Sequence, residues 1–395
     1  MTTILLTMTK PLHPATLSAQ ALGWIDATTR AVVPPIHTST TYLRDEDNQY
    51  RSGRVYARAD NPAFDQPEAL LTALEQGEAA MLFSSGMAAA TACFMALKPG
   101  DDVIVPSVMY WALRNWLLGF ATNWGLRITF VDMSNKQELE DALITGKTKL
   151  IWVETPANPT WSITDISHAA ACAKRTGAKL AVDSTVATPI HCQPLLLGAD
   201  IVMHAATKYL NGHSDLIAGA LVTREKDEYW LKIKTIRSQL GSTLGSFEAW
   251  LLLRGMRTLS VRVAASTKNA DIIAKHFEHH PKIRAVLYPG LTSFLGHDVA
   301  KQQMHNGFGG MLSLCIKGAD EADGEARAIA VAAYTKLFKR ATSLGGVESL
   351  IEHRASVEGA GTPAPRDMLR ISVGIEDAGN LIADLEAALV AAFAA

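Results

Sequence analysis

Cysteine is scarce. Cys93, Cys172, Cys192 and Cys315 are the only four in 395 residues, and no two stand in C-x-x-C spacing. That scarcity argues against a disulfide frame or a zinc site and suits a reducing cytoplasm. An excess of charge of one sign is missing too. Lys plus Arg number 37 against 39 Asp plus Glu, a formal charge of -2, so nothing is set aside to neutralise a phosphate backbone. No apolar run approaches the ~20 residues that cross a bilayer. The N-terminal Ile4-Leu5-Leu6 is too short for the core of a secretory signal. The expectation is a cytoplasmic chain with no membrane or nucleic-acid partner. Charged residues are only 19% and apolar residues 48%, which excludes disorder and a charge-rich coiled coil. The length exceeds the ~250–300 residues at which single cores stop growing, so two domains are expected.

Residues 1–62 carry Pro11, Pro14, Pro34, Pro35 and Pro62 and a run of charges from Arg44 to Asp60, and read as an extended arm. Beyond them, short apolar strands alternate with helices. Strands are expected at 103–105, 127–132, 149–154, 179–183, 200–204 and 215–223. Helices are expected at 67–76, 86–97, 110–121, 135–144 and 163–176. That alternation predicts βαβ units and a mostly parallel sheet. The run 247–280 reads as helix broken near Gly255. After it come strands at 286–288, 310–316 and 369–373 and helices at 321–338 and 377–393, a smaller α+β unit.

Four segments carry candidate chemistry. His204-Ala205-Ala206-Thr207-Lys208-Tyr209 places a lysine just past a buried strand. It reads either as a loop lysine or as one that forms a Schiff base with pyridoxal phosphate. Asp183 ends a strand 25 residues earlier, either as a helix cap or as a partner for a protonated pyridine nitrogen at the carboxyl edge of the sheet. Ser84-Ser85-Gly86-Met87 leads into a helix, either as a plain cap or as a phosphate cup of free amides and hydroxyls. Tyr110 reads as a core aromatic or as a ring stacked on a planar cofactor.

Together these segments resemble the Cys/Met-metabolism family of pyridoxal-phosphate enzymes, which includes cystathionine γ-synthase, cystathionine β- and γ-lyases and methionine γ-lyase. The resemblance runs from about residue 30 to 392. Its most specific stretches are Tyr56–Pro62, Glu154–Pro159, Ala206–Asp215, Ser343–Glu352 and Leu369–Asp377. It implies a fold-type I α/β architecture with a mostly parallel central sheet and a smaller C-terminal α+β domain. The implied division is an arm at 1–62 against a neighbouring subunit, a cofactor-binding domain at 63–252 and a C-terminal domain at 253–395. It further implies that Lys208 bonds the cofactor and moves protons, that Asp183 holds the ring nitrogen and that Tyr110 stacks on the ring. Ser85, Gly86, Met87 and Thr207 would hold the phosphate, with Tyr56 and Arg58 reaching it from a neighbouring subunit of a homotetramer built as a dimer of dimers. Asn158, Ser343 and Arg370 would line the substrate carboxylate. No metal is implied.

The departures from the family bear on substrate. Val55, Ala59 and Thr342 stand where relatives that handle cystathionine or acylated homoserine tend to carry charge. Leu344 stands where the β-lyase type often has Trp, Ala112 replaces the methionine γ-lyase cysteine and Ala205 replaces a phosphate-side serine. Trp111, beside the stacking tyrosine, reads as a specificity residue or as a core tryptophan paired with Trp116. The acidic run Asp45-Glu46-Asp47 reads as a solvated loop or as a feature favouring a cationic distal group such as that of canavanine. The expectation is a lyase that eliminates a heteroatom group from the γ- or β-carbon of an amino acid, canavanine-type substrates included. Cystathionine β-lyase, a γ-replacement transferase and a non-catalytic homologue are the alternatives.

Overall fold

The computed structural model describes residues 12–359 and 362–394. The reading of Ile4-Leu5-Leu6, and the first eleven residues of the arm, lie outside them.

A seven-stranded sheet is built from β1 (Ala79–Phe83), β2 (Asp102–Pro106), β3 (Arg127–Val131), β4 (Thr148–Glu154), β5 (Lys179–Asp183), β6 (Ile201–His204) and β7 (Gly219–Thr223). Its order is β1-β7-β6-β5-β4-β2-β3. Strand β7 runs antiparallel to both neighbours and the rest of the sheet is parallel. The central strands are apolar along their length because helices cover both faces; Leu150, Ile151, Trp152 and Val153 of β4 are fully buried. Parallel strands aim their carboxyl ends at one edge, and that edge collects Glu154, Asp183 and the turn after His204.

A second sheet of five strands, β8 (Ile283–Leu287), β9 (Met311–Ile316), β10 (Lys339–Arg340), β11 (Leu350–His353) and β12 (Met368–Ser372), has the order β10-β11-β12-β9-β8. It has its own core around Leu314, Ile316, Ile371 and Leu385. The helix Leu259–Phe277 ties the two parts together. Its Arg262 donates to the carbonyls of Tyr209 (2.8 Å) and Gly255 (2.8 Å), and its Asn269 donates to that of Glu376 (2.7 Å). Residue 252 lies inside the helix Ser246–Met256.

Several boundaries differ from the sequence expectation. The helix expected to open at Pro67 begins at Pro62, because Asn61 caps it by accepting from the Ala63 N–H at 2.8 Å; Pro67 then sits inside. The helix expected from 163 begins at Ile166, after the Asp165 cap. The strand expected over 215–223 is only Gly219–Thr223. Strands β1 and β11 were not expected at all. Both are short and register only through long-range partners, Ala79–Phe83 against β7 and Leu350–His353 against β12.

Candidate active site

A cavity of about 460 Å³ opens at the carboxyl edge of the large sheet, against the second sheet. Eleven of the thirteen expected site residues line it: Ser85, Gly86 and Met87, Tyr110 and Trp111, Asn158, Asp183, Thr207 and Lys208, and Ser343 and Arg370. Tyr56 and Arg58 do not. Tyr56 is half exposed, and Arg58 lies over its ring and donates to the Ser238 carbonyl at 2.8 Å. The acidic run stays on the surface, where Asp45 and Asp47 pair with Arg51.

Lys208 follows β6 in a tight turn and donates from Nζ to Ser343 Oγ at 2.7 Å. Burial, and then the charge of Arg370, push its ammonium down to a pKa of about 8. Ser343 holds a left-handed backbone, φ 98°, unusual for a residue with a side chain and costing ~1–3 kcal/mol. Its carbonyl accepts from Arg370 Nη2 at 2.8 Å, while Arg370 Nη1 reaches Asn158 Oδ1 at 3.3 Å. The amine, the serine, the asparagine and the guanidinium thus meet from four separate segments.

On the opposite wall, Ser85 takes extended backbone and its Oγ accepts from the Ala88 N–H at 3.1 Å, which opens the helix Gly86–Met95. Gly86 and Met87 line the cavity, and as the first residues of the helix their amides have no intrahelical partners. Gly86 is required there, since a Cβ would stand 2.8 Å from that of Ala205. Asp183 Oδ1 accepts from the Thr185 amide (3.0 Å) and hydroxyl (2.5 Å), and its second oxygen receives no hydrogen bond from the described residues. Burial raises the Asp183 carboxyl above its ordinary range.

Residues outside the sequence expectation complete the site. Glu154, buried, accepts from the Tyr110 amide at 2.8 Å and the Asn158 amide at 2.9 Å, so one carboxylate positions both. Burial, then the neighbouring Asp183, push it up to about 8. Its place at a strand end, like that of Asp183, was the available signal. Glu352 Oε2 accepts from Arg354 at 2.7 Å and forms an ion pair with Arg370 at 2.7 Å, and Arg354 continues to Glu358. Thr207 spends its hydroxyl on Ala218, donating to the carbonyl at 3.1 Å and accepting from the amide at 3.0 Å.

The family description that matches is "Cys/Met metabolism PLP-dependent enzyme", over residues 15–390. The chain belongs to this family. It is 43% identical over 370 residues to a cystathionine gamma-synthase of Mycobacterium leprae, covering 92% of this chain and 93% of that one. It is 42% identical over 372 residues to a cystathionine gamma-lyase of Bacillus subtilis, covering 92% and 96%. The crystal structure of cystathionine gamma synthase from Xanthomonas oryzae pv. oryzae in complex with aminoacrylate and cysteine superposes with TM-score 0.91 at 37% identity, covering 98% and 100%.

As a member of the Cys/Met-metabolism family, the chain is a pyridoxal-phosphate enzyme of fold-type I. The site fits that cofactor on its own geometry. Free helix amides at Gly86 and Met87 suit a phosphate, the open oxygen of Asp183 suits a ring N–H, and Lys208 has a primary amine of lowered basicity. Among the described residues no helix is long and apolar enough to cross a membrane.

Proposed function

We propose that this family member eliminates a heteroatom group from the γ-carbon, or the β-carbon, of an L-amino acid other than cystathionine. The observation that carries the reading is the convergence of Lys208, Ser343, Asn158 and Arg370 in one cavity whose lining residues Thr342, Leu344 and Trp111 bear no charge. Pyridoxal phosphate, when bound, supplies an electron sink for charge that develops next to the amino group.

The chain's own residues do the rest. Arg370, held by Asn158 and Ser343, offers its guanidinium to the substrate carboxylate and fixes which proton faces Lys208. Lys208, with its amine near neutrality, takes the proton from Cα and, for a γ-leaving group, must give that proton up before taking a second one from Cβ. Tyr110, whose phenol is raised by burial, keeps its proton at neutral pH and can give it to the departing heteroatom. Ser85, Gly86 and Met87 would bind the phosphate, Thr207 would join them by turning its hydroxyl away from the Ala218 carbonyl, and Asp183 would hold the ring nitrogen.

Tyr56 and Arg58 are proposed to complete the phosphate site of a neighbouring subunit in a homotetramer. The arm that carries them has no core of its own and leaves Val55 and Tyr56 half exposed. The four cysteines are free and buried, which supports a cytoplasmic setting. The division at residues 62 and 252 is likewise proposed, each sheet having a core of its own. Canavanine-type amino acids belong in the substrate test, although the acidic run that suggested them lies away from this cavity in its own subunit.

A second reading, replacement at the γ-carbon, is favoured by the cystathionine gamma-synthase relatives. The test is a panel of amino acids, with and without a thiol co-substrate, assayed for keto acid, ammonia, homoserine and thioether. Keto acid and ammonia without thiol support elimination. Product that forms only with thiol transfers the assignment to replacement.

A further inference from the structure

Arg354 lies on the cavity wall with its side chain only 2% exposed. A buried guanidinium beside a substrate site is ordinarily a receptor for a carboxylate, which it grips through two parallel N–H groups. Here that edge is taken. Arg354 Nε (3.1 Å) and Nη2 (2.6 Å) both donate to Glu358 Oε1, and Nη1 donates to Glu352 at 2.7 Å. Glu358 is itself buried, 5% exposed, and its other oxygen accepts from the Thr362 hydroxyl at 2.5 Å. Glu352 is shared with Arg370. The four charges of Arg354, Arg370, Glu352 and Glu358 therefore cancel before any substrate enters. The substrate's own α-carboxylate already adds one negative charge at Arg370.

We infer that Glu358 is a specificity-determining residue: it occupies the carboxylate-binding edge of Arg354 from within the chain, so the cavity takes amino acids whose distal group is uncharged and excludes those that end in a carboxylate. This rests on the cavity being the amino-acid substrate site. A distal carboxylate entering here meets a guanidinium already neutralised and the Glu358 charge beside it. An uncharged group needs no such partner and packs against Val357, Trp111 and Leu344, which line the same cavity.

The test measures binding to the holoenzyme of two amino acids that have no leaving group, L-norleucine and L-2-aminoadipate, which differ chiefly in a distal methyl against a distal carboxylate. Calorimetry on the native chain should show norleucine binding more tightly by at least about tenfold, the order expected for one charge-assisted hydrogen bond. Glu358→Gln keeps the shape and removes the charge. It should shift the ratio of the two dissociation constants by about tenfold toward 2-aminoadipate while norleucine binding changes little. Should Glu358→Gln fail to fold by circular dichroism, Glu358→Met, which also removes the charge at similar length, must move the ratio in the same direction. An unchanged ratio in the folded variant, or native binding that favours 2-aminoadipate, overturns the inference. Absence of turnover with every γ-substituted amino acid, alongside a shifted ratio, removes the lyase reading and supports the role of Glu358.

Discussion

Glu154 and Asp183 are register partners at the ends of two adjacent parallel strands, and both carboxyls are pushed up in pKa. Burial is the leading cause for each, and for Glu154 the neighbouring Asp183 comes next. Two acids packed side by side in the sheet edge would not persist for stability alone. One holds the Tyr110 and Asn158 amides, while the other lines the cavity with one oxygen that receives no hydrogen bond from the described residues. The consequences can be measured.

The stability of the cofactor-free chain should fall as pH rises. Glu154 binds a proton more tightly when folded, up to about 8 against an ordinary 4.5. Its contribution is therefore complete below the unfolded value and is lost as pH passes through the folded one. Melting temperature measured from pH 5 to pH 8.5 should decline, and Glu154→Gln, which cannot ionise, should flatten that decline. An equal slope in both proteins assigns the pH dependence to other groups.

Lys208→Ala should lose turnover by at least about a thousandfold, as removal of a covalent catalyst does, while the fold and weak cofactor binding persist. In the native apoprotein the rate of cofactor recombination, followed by the visible band, should rise with pH and level off above about 8, where the amine is free. Wild-type elimination rates in Lys208→Ala would remove the lysine from the mechanism.

Tyr56 and Arg58 do not line the cavity of their own subunit, so the proposed role in a phosphate site requires a neighbouring subunit. Separately inactive Arg58→Ala and Lys208→Ala chains, mixed under conditions that exchange subunits, should regain activity through one repaired site in each hybrid. Hybrids verified by mass spectrometry that stay inactive contradict a shared site.

Trp111 lines the cavity, its ring 6.5 Å from that of Tyr110, whereas Trp116 stacks on Phe120 at 5.4 Å. The two tryptophans of one helix thus do different work. Trp111→Gly should change the kcat/KM ratio between long and short side-chain substrates by about tenfold, the scale of one pocket contact, and leave cofactor affinity nearly unaltered. A fixed ratio would make Trp111 a packing residue.

Much of this site is local, and local features are readable from the chain. Lys208 past a buried strand, Asp183 at a strand end and the Ser85-Gly86 helix start each follow from a few neighbouring residues, because strand ends and helix caps are decided within one turn. The alternation of apolar runs with helices likewise declared βαβ units and a mostly parallel sheet. What local pattern could not give, apart from the family resemblance, was pairing across distance. Arg370 and Asn158 are 212 residues apart in sequence, and Lys208 and Ser343 are 135 apart, so no periodicity couples them. Arg354 and Glu358 have the i, i+4 spacing of an ordinary surface pair. Only the packing of the second sheet against the first decides that this pair is buried, with Arg354 on the wall of a cavity. Composition and local backbone preference determined the fold class and the candidate groups, and the resemblance of several ordered motifs to one family chose among their readings. The selection of distal groups came from tertiary contact, since the cost of a buried charge depends on what surrounds it.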